Sequence, residues 1–358
     1  MQVETLIVGG GPAGTSAGIH LLMAGFEDVT IIDRATFPRT KLCGGLVTYD
    51  AVKELKKMGI KVKNNPIFHQ NTYVRYYNKK RLINEYQGIK HYVVQRYEFD
   101  NLLLNRFKEL GGNVIEGDMV LKIEVNHNIV VTKSGEEIKY KWLIGADGAN
   151  SRVRDAINTE QPLNAFCAQV SAPLSVNTED TTAVIFNRVK AGFAWRFATA
   201  TDVKIGIGSF DNPKVLIKRI VKDNPGLQVN GAFVPYGNLP KVRAKNNIFL
   251  AGDAGGYVDP VLGEGISFAI NHGAFYPKIL KSSNPEEKYD ELYADMVKHI
   301  RYGVRMRKVF FNSWFHEHAL NYFSYAPATT EAITNKVVMT KEIQYYQIPQ
   351  LIKLALKP

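Results

Sequence analysis

The first part of the chain alternates short apolar stretches with amphipathic ones, which predicts an α/β fold. Residues 3–8 are apolar and predict a strand, and residues 13–24 predict a helix. Residues 29–32 predict a second strand, which ends in Asp33. A glycine-rich turn separates the first strand from the helix. This order of strand, turn, helix and strand is typical of a nucleotide-binding βαβ unit.

Weaker hydrophobic periodicities continue as far as residue 144. They predict helices over 49–58 and 97–110 and strands over 72–77 and 92–95. Short alternating pieces around Val114 and over 120–125, 129–132 and 138–140 predict a small antiparallel meander. The apolar run 142–144 is predicted to return to the first sheet.

The second half of the chain has a different hydrophobic pattern. Residues 158–245 are mostly strand-like, whereas 248–253 predict one more buried strand and 264–280 a helix. We therefore predict a nucleotide-binding domain over 1–157 with inserted strands at about 60–95, a mainly antiparallel substrate domain over 158–245, a return to the first domain over 246–285 and a helical region over 286–358.

The glycine turn carries the first chemical signal. Gly9, Gly11 and Gly14, together with Pro12 and Ala13, form a tight turn in front of the predicted helix. Such a turn brings backbone amides close to a pyrophosphate. Asp33 follows about 20 residues later, where the ribose hydroxyls of an adenine dinucleotide are usually bound. The alternative is that the glycines serve only a close turn.

Composition agrees with a soluble enzyme. The 358 residues carry a net charge of +11, spread without a long basic run, and contain no nucleic-acid-binding module. Cys43 and Cys167 are too few for a disulfide framework and lack metal-site spacing, so we predict a reducing compartment and no metal. The first strand starts at residue 3, which leaves no room for a signal peptide, and no apolar run has the length of a membrane span. We expect a cytoplasmic protein.

The sequence contains two further motifs besides the glycine turn. Residues 145–148 are Gly-Ala-Asp-Gly, and residues 251–256 are Ala-Gly-Asp-Ala-Gly-Gly. In this order and spacing, the three motifs resemble the FAD-dependent oxidoreductases built like aromatic hydroxylases. The resemblance implies an α/β fold, with a Rossmann-like FAD-binding domain interleaved with an antiparallel-sheet substrate domain and followed by a helical C-terminal region. It also implies FAD as the cofactor.

Two loops are similar to those of geranylgeranyl reductases, which reduce isolated C=C bonds of polyprenyl chains. They are Lys-Leu-Cys-Gly-Gly at 41–45 and the segment 253–266. The stretch 192–198 departs from the Tyr-x-Trp-x-Phe-Pro signature of these reductases, because Phe193 replaces the tyrosine and Ala198 the proline. Phe193 has no hydroxyl, so proton delivery from that position is called into question.

The resemblance also implies the site residues. Asp253 would hydrogen-bond a ribityl hydroxyl, and the amides of 263–266 would face the flavin ring. The implied cofactor contacts are Gly9, Gly11, Pro12, Ala13, Gly14, Asp33, Arg34, Lys41, Gly44, Gly45, Arg96, Val120, Asp147, Gly148, Asp253, Gly263, Gly265 and Ile266. For Arg96 the alternative is an exposed arginine at a helix start.

Candidate catalytic residues are Cys43, Trp195 and Phe193. Cys43 lies near cationic residues and is a candidate proton donor or nucleophile, although a lone cysteine is often just a small buried apolar residue. Trp195 and Phe197 are candidates for an apolar wall over the flavin, but alternating aromatic residues also occur on a buried sheet face.

Three functions follow as hypotheses. The first is reduction of a C=C bond in an apolar, polyprenyl-like substrate by hydride from reduced FAD. The second is a monooxygenase or halogenase acting on an aromatic substrate, and the third is a flavoprotein that modifies a partner protein. No second nucleotide-binding motif is present, so NAD(P)H is expected to bind only transiently as an electron donor.

The C-terminal region is basic and aromatic. Cationic residues such as Arg301 and Arg305 alternate with aromatic ones such as Tyr302, and residues 351–357 are again basic and apolar. Such a helix can contact an anionic membrane or a partner protein, or cover a pocket. The alternative is an ordinary amphipathic helix that leaves its charges in water.

Overall fold

The computed structural model describes residues 1–158, 164–174, 180–311, 313–342 and 344–348. In chain order, its strands are β1 (Gln2–Val8), β2 (Val29–Asp33), β3 (Leu46–Val47), β4 (Phe68–Gln70), β5 (Tyr73–Asn78), β6 (Arg81–Gln87), β7 (Tyr92–Val94), β8 (Asn113–Glu116), β9 (Val120–Glu124), β10 (Ile129–Thr132), β11 (Glu137–Gly145), β12 (Ala165–Pro173), β13 (Thr181–Phe186), β14 (Phe193–Ala198), β15 (Asp202–Ser209), β16 (Asn230–Val234), β17 (Ala244–Lys245) and β18 (Ile248–Leu250). The α-helices are α1 (Pro12–Met23), α2 (Tyr49–Lys57), α3 (Arg96–Glu109), α4 (Arg152–Ile157), α5 (Pro213–Asp223), α6 (Ile266–His272), α7 (Tyr276–Leu280), α8 (Pro285–Phe310), α9 (Ser313–Tyr325) and α10 (Pro327–Ile333).

The first sheet is built on parallel strands in the order β18, β11, β1, β2 and β8. Their residues are mainly apolar and buried, as expected for strands covered on both faces. Val8 is paired with Ile32 on one side and with Gly145 on the other, and Gly145 is paired with Leu250. Four strands therefore end side by side, and the segments that follow them meet at one edge.

The second sheet has the order β16, β12, β15, β14, β13, β5 and β6. It is antiparallel except where β5 runs parallel to β13. The β5–β6 hairpin comes from the inserted segment near the N-terminus, so the chain crosses to this sheet early and then returns. The predicted fold class, two interleaved sheets with a helical C-terminal region, is confirmed; the domain boundaries remain a prediction.

Some predicted elements differ in the structure. The strand at Val114 is not part of a meander: β8 pairs in parallel with β2, because helix α3 precedes it and returns the chain in the same direction. The strand-like region 158–245 contains helix α5, and the short strand β3 lies between β2 and α2. The helix predicted over 264–280 is broken between α6 and α7, where Gly273 packs directly against Ser16.

The C-terminal region returns the chain to the sheets. Helix α8 buries Tyr289 and Tyr293 against the first domain, and the Tyr289 hydroxyl donates to the carbonyl of Leu250 at 2.6 Å. After α10, a short wide helical turn at Thr334–Met339 brings the chain back beside the second sheet. Residues 351–357 lie outside the described residues. No helix in the part of the chain that the structure describes is long and apolar enough to cross a membrane.

Candidate functional site

The three sequence motifs meet at the carboxyl edge of the parallel sheet. The Gly9 amide donates to the Ile32 carbonyl at 2.8 Å, and the Ala146 amide donates to the Val8 carbonyl at 2.8 Å. The Ala251 amide in turn donates to the Gly145 carbonyl at 2.8 Å. These bonds place the glycine turn, the 145–148 motif and the 251–256 motif in one row.

The glycines of the turn have two different roles. A Cβ atom at Gly14 would lie 1.9 Å from the Gly9 carbonyl oxygen, and one at Gly9 would lie 2.3 Å from the Ala146 oxygen. Gly9 also has a positive φ of 109°. These two glycines allow the turn to close. A Cβ at Gly11 would meet nothing nearer than Arg39 Nη2, at 3.6 Å, so Gly11 borders open space at the amino end of α1.

Asp33 holds the glycine turn from the next strand. Its Oδ2 accepts from the Gly10 amide at 2.7 Å and its Oδ1 from the Ala35 amide at 2.9 Å. Arg39 lies beside it, 3.8 Å from Asp33 Oδ2 and 3.2 Å from Asp100 Oδ2. The carboxylate is therefore fixed next to the turn, with a cation close by.

Lys41 connects the other two motifs. Its Nζ lies 3.8 Å from Asp253 Oδ2 and would lie 3.8 Å from a Cβ at Gly148. Gly252, with a φ of 54°, packs against Ala13 of helix α1. Residues from all three motifs therefore border one cleft, with Lys41 at its polar side.

Arg96 and Cys43 form the inner polar group of the cleft. Arg96 makes a bidentate pair with the fully buried Asp100, both contacts measuring 2.7 Å. Burial by itself lowers the pKa of Arg96, but the Asp100 carboxylate and Cys43 outweigh it and hold the pKa above its usual value. The Cys43 sulfur also accepts from the Gly45 amide at 3.3 Å. Two donors, one of them a permanent cation, therefore face this sulfur.

An aromatic wall lines the opposite side of the cleft. Phe193, Trp195 and Phe197 alternate along β14 and project from the same face of the second sheet. The ring centroids of Phe193 and Trp195 are 5.9 Å apart, and those of Trp195 and Phe197 are 6.5 Å apart. A Cβ at Gly44 would lie only 2.8 Å from the Phe197 ring. The loop that carries Cys43 is therefore packed directly against this wall.

Cys167 also borders the cleft, on β12. Burial raises its pKa to about 12, so this thiol remains protonated at neutral pH. It adds a small, weakly polar surface to the wall.

The loop from Asp259 to Gly265 is held by residues that sequence analysis missed. Asp259 accepts from the Leu262 amide at 2.7 Å and from the hydroxyl of Tyr345 at 2.8 Å. Burial alone raises the pKa of Asp259, but the neighbouring His299 ring, whose Nε2 lies 3.6 Å from Oδ2, and the charge of Lys341 lower it to about 2. Lys341 pairs with Glu264, which borders the cleft. No local motif marks Lys341 or Tyr345, because their partners lie far away in the chain.

Most of the predicted site residues come together in this cleft. Those that line it are Gly11, Pro12, Ala13, Lys41, Cys43, Gly44, Gly45, Arg96, Gly148, Phe193, Trp195, Asp253, Gly263, Gly265 and Ile266. Unpredicted lining residues include Tyr76, Thr182, Tyr236, Glu264 and Met339.

The other predicted residues lie around the cleft. Gly9 and Gly14 close the turn, and Asp33 bonds it from β2. Asp147 accepts from the hydroxyl of Ser151 and from the Arg152 amide, so it caps helix α4. Arg34 is exposed, and the Val120 side chain is buried in the core under β9. No group of three or more His, Cys, Asp or Glu residues among those described is arranged to hold a metal ion.

Comparison with known proteins agrees with this geometry. The model of the FAD-binding domain family matches residues 2–213, which is more than half of the chain. The chain belongs to this family. It is therefore an FAD-dependent oxidoreductase, and its sequence is similar to geranylgeranyl reductases.

Relatives and solved structures extend the likeness. The chain is 29% identical to geranylgeranyl diphosphate reductase of Rhodobacter capsulatus over 318 residues, covering 80% of this chain and 78% of that protein. A geranylgeranyl bacteriochlorophyll reductase-like protein of Thermoplasma acidophilum superposes with a TM-score of 0.76 at 20% identity, covering 95% of this chain and 98% of the other. A probable FAD-dependent monooxygenase of Pseudomonas aeruginosa superposes with a TM-score of 0.71 at 15% identity, covering 91% and 100%. At these identities the two structures show a shared fold.

Proposed function

We propose that this protein reduces a carbon–carbon double bond in an apolar, polyprenyl-like substrate, using reduced FAD. The observation that carries the proposal is the contrast between the two sides of the cleft: glycine turns and charged groups on one, the Phe193–Phe197 wall on the other, and Cys43 between them. A cofactor can bind along the polar side of the cleft, and an apolar chain can bind along its aromatic side. The relationship to geranylgeranyl reductases supports the same substrate class.

The glycine turn suits a dinucleotide. Gly11 leaves open space where a side chain would stand, in front of the amino end of α1, and helix amides there stabilise phosphate charge. Lys41 adds a cation near that position, and Asp253 offers a carboxylate to a ribityl hydroxyl. When bound and reduced by an electron donor, FAD would supply a hydride to the substrate carbon and return to its oxidised form. The amides of Gly265 and Ile266, which border the cleft, would stabilise negative charge at the far end of the cofactor, whereas the Gly263 amide already donates to the Asp259 carbonyl at 2.9 Å.

Cys43 is proposed as the proton donor. After hydride transfer, the neighbouring carbon of the former double bond needs a proton. The Gly45 amide and the Arg96 guanidinium both face the Cys43 sulfur, so they stabilise the charge that remains when the thiol gives up its proton. The wall at Trp195 excludes water and orients the apolar chain.

The decisive experiment is anaerobic. Purified protein loaded with FAD is reduced with dithionite and mixed with geranylgeranyl diphosphate in detergent, while flavin absorbance is recorded. Reoxidation of the flavin together with a product two hydrogens heavier supports the proposal. Flavin that stays reduced with geranylgeranyl diphosphate and with longer polyprenyl diphosphates contradicts it. Replacing dithionite with NADH or NADPH tests the proposed transient electron donor.

A monooxygenase is the second candidate. Phe193 lacks the hydroxyl that the reductase signature has at this position, and the fold is shared with a probable FAD-dependent monooxygenase. In that case the reduced protein would consume oxygen faster when an aromatic substrate is present and would yield a hydroxylated product. Oxygen uptake that no aromatic compound stimulates counts against this candidate.

A further inference from the structure

Helix α5 presents an apolar and basic outer face on the second sheet. Leu216 and Ile220 point inward and are buried against the sheet, as expected for residues four apart on one helix face. Ile217 and Val221, also four apart, remain 38% and 46% exposed. A helix that needed only to cover the sheet would carry polar residues there.

The same face carries a row of lysines. Lys214, Lys218 and Lys222 succeed one another at intervals of four residues and are exposed. None of the three forms a salt bridge within the described residues. The nearby cation Arg219, in contrast, donates to the Arg188 carbonyl, and Arg188 pairs with Asp223. Three uncompensated positive charges therefore border the exposed apolar residues.

The edge strand β16 lies between this face and the border of the cleft. The Phe233 ring on the outermost strand β16 is 46% exposed and packs edge-on against Phe166 at 5.2 Å. Phe166 belongs to the same apolar cluster as Leu216 and Ile220 of α5. Phe233 and its neighbours Ala232 and Val234 also border the cleft. Helix α5 and the cleft lie on opposite faces of the second sheet, and β16 is the edge strand at which the two faces meet.

We propose that α5 and β16 form a docking face for the anionic surface of a phospholipid bilayer. Ile217, Val221 and Phe233 enter the interface, while Lys214, Lys218 and Lys222 contact lipid phosphates. The exposed apolar residues suit the apolar interior of the bilayer interface, and the lysines without salt bridges suit its negative surface charge. A second copy of this chain would bring the two lysine rows together, and like charges repel.

Docking that includes the edge strand β16 would bring the border of the cleft at Ala232 and Val234 to the bilayer. A prenyl chain dissolved in the membrane would then pass over β16 without crossing water. This use of the face rests on the proposed function, whereas binding to the membrane does not. The experiment below therefore measures binding without catalysis.

The test is co-flotation of the FAD-loaded protein with phosphatidylglycerol vesicles, compared with phosphatidylcholine vesicles. We expect binding to phosphatidylglycerol that weakens as salt is raised. The triple variant Lys214→Glu, Lys218→Glu, Lys222→Glu should bind roughly a hundredfold more weakly. The matched triple variant Lys63→Glu, Lys133→Glu, Lys139→Glu has the same net charge but changes exposed lysines elsewhere. It should keep most of the binding.

The apolar part is tested separately. Ile217→Ser with Val221→Ser should reduce vesicle binding about tenfold, whereas Leu82→Ser with Leu121→Ser, at similarly exposed positions elsewhere, should not. Equal loss in both lysine triples would mean that net charge alone attracts the protein, and it would overturn the proposal. Absence of vesicle binding would overturn it too. So would a dimer, detected by light scattering, that the α5 variants dissociate.

Discussion

The Nζ atom of Lys341 lies 2.6 Å from Oε2 of Glu264, and both side chains are largely buried. This pair joins the end of the described chain to the loop that borders the cleft between Asp259 and Gly265. Burial by itself lowers the pKa of Lys341, but Glu264, Asp259 and Asp50 outweigh it and raise the pKa above its usual value. The lysine is therefore charged, and the loop is held by an ion pair shielded from water.

Removing one partner of this pair should be costly. Lys341→Met leaves the Glu264 carboxylate buried without its cation, and we expect the free energy of unfolding to fall by about 3–5 kcal/mol. Urea unfolding followed by tryptophan fluorescence measures the change. FAD affinity should fall as well, because Glu264 lies between two glycines that border the cleft.

Two variants control for this interpretation. Lys341→Met combined with Glu264→Gln removes both charges and should recover much of the lost stability. Lys288→Met breaks an exposed pair with Glu291 and should change stability by at most about 1 kcal/mol. If the single and double variants at the buried pair were both as stable as the native protein, the pair would have no structural role.

The glycine turn allows a second prediction, which separates binding from folding. A methyl group at Gly11 meets no atom closer than 3.6 Å, so Gly11→Ala should fold normally. The methyl group would nevertheless occupy the space assigned to the pyrophosphate, and FAD affinity should fall by at least about tenfold. Gly14→Ala, whose methyl group would overlap the Gly9 carbonyl, should instead reduce stability itself. Flavin titration and thermal unfolding distinguish the two, and unchanged flavin affinity in Gly11→Ala would exclude the proposed cradle.

Most residues of the cleft could be predicted because the patterns that mark them are local in the sequence. Gly9, Gly11 and Gly14 lie within one turn, and the apolar run before them and the helix after them are contiguous in sequence. Asp253 is distant, but it follows its own apolar strand, and parallel strands bring their carboxyl ends to one edge. The clustering of these residues could therefore be predicted from local patterns together with a single topological rule.

The features that could not be predicted are mostly pairings between segments that are distant in the sequence. The periodicity of the strand at Val114 indicates its conformation but not its partner, and only the position of helix α3 determines that β8 joins β2. Lys341 contacts a residue 77 positions away, and no spacing rule describes such a contact. Helix α5 lies inside the strand-rich stretch 158–245 and escapes the prediction, although Leu216 and Ile220 have helical spacing and Asn212 caps its start.

Cys43 is the basis of a third prediction. If its thiol donates the proton, Cys43→Ala should slow substrate-dependent flavin reoxidation roughly 10²- to 10⁴-fold, the usual contribution of a general acid. Reduction of the flavin by dithionite and its affinity should be unchanged, since the Arg96–Asp100 pair remains. Cys167→Ala is the matched control, because that thiol also borders the cleft but is not faced by Arg96. Equal rates in both variants and the native protein would assign the proton to water.

His91 makes the stability of the second sheet depend on pH. The ring is fully buried. Nδ1 donates to the Ile89 carbonyl at 2.8 Å, since a carbonyl can only accept, and Nε2 of the neutral ring therefore accepts from the Thr182 hydroxyl at 2.7 Å. Burial lowers the pKa of His91 from 6.5 to about 4, so the folded protein holds it neutral. As pH falls below 6.5, the unfolded chain takes up this proton first. The stability that His91 contributes is therefore complete above pH 6.5 and is lost progressively down to about pH 4, by about 3 kcal/mol.

Urea unfolding across this range should show a flatter pH dependence for His91→Gln than for the native protein, whereas His127→Gln, at an exposed position, should keep the native slope. Parallel slopes for His91→Gln and the native protein would mean that His91 is not held neutral.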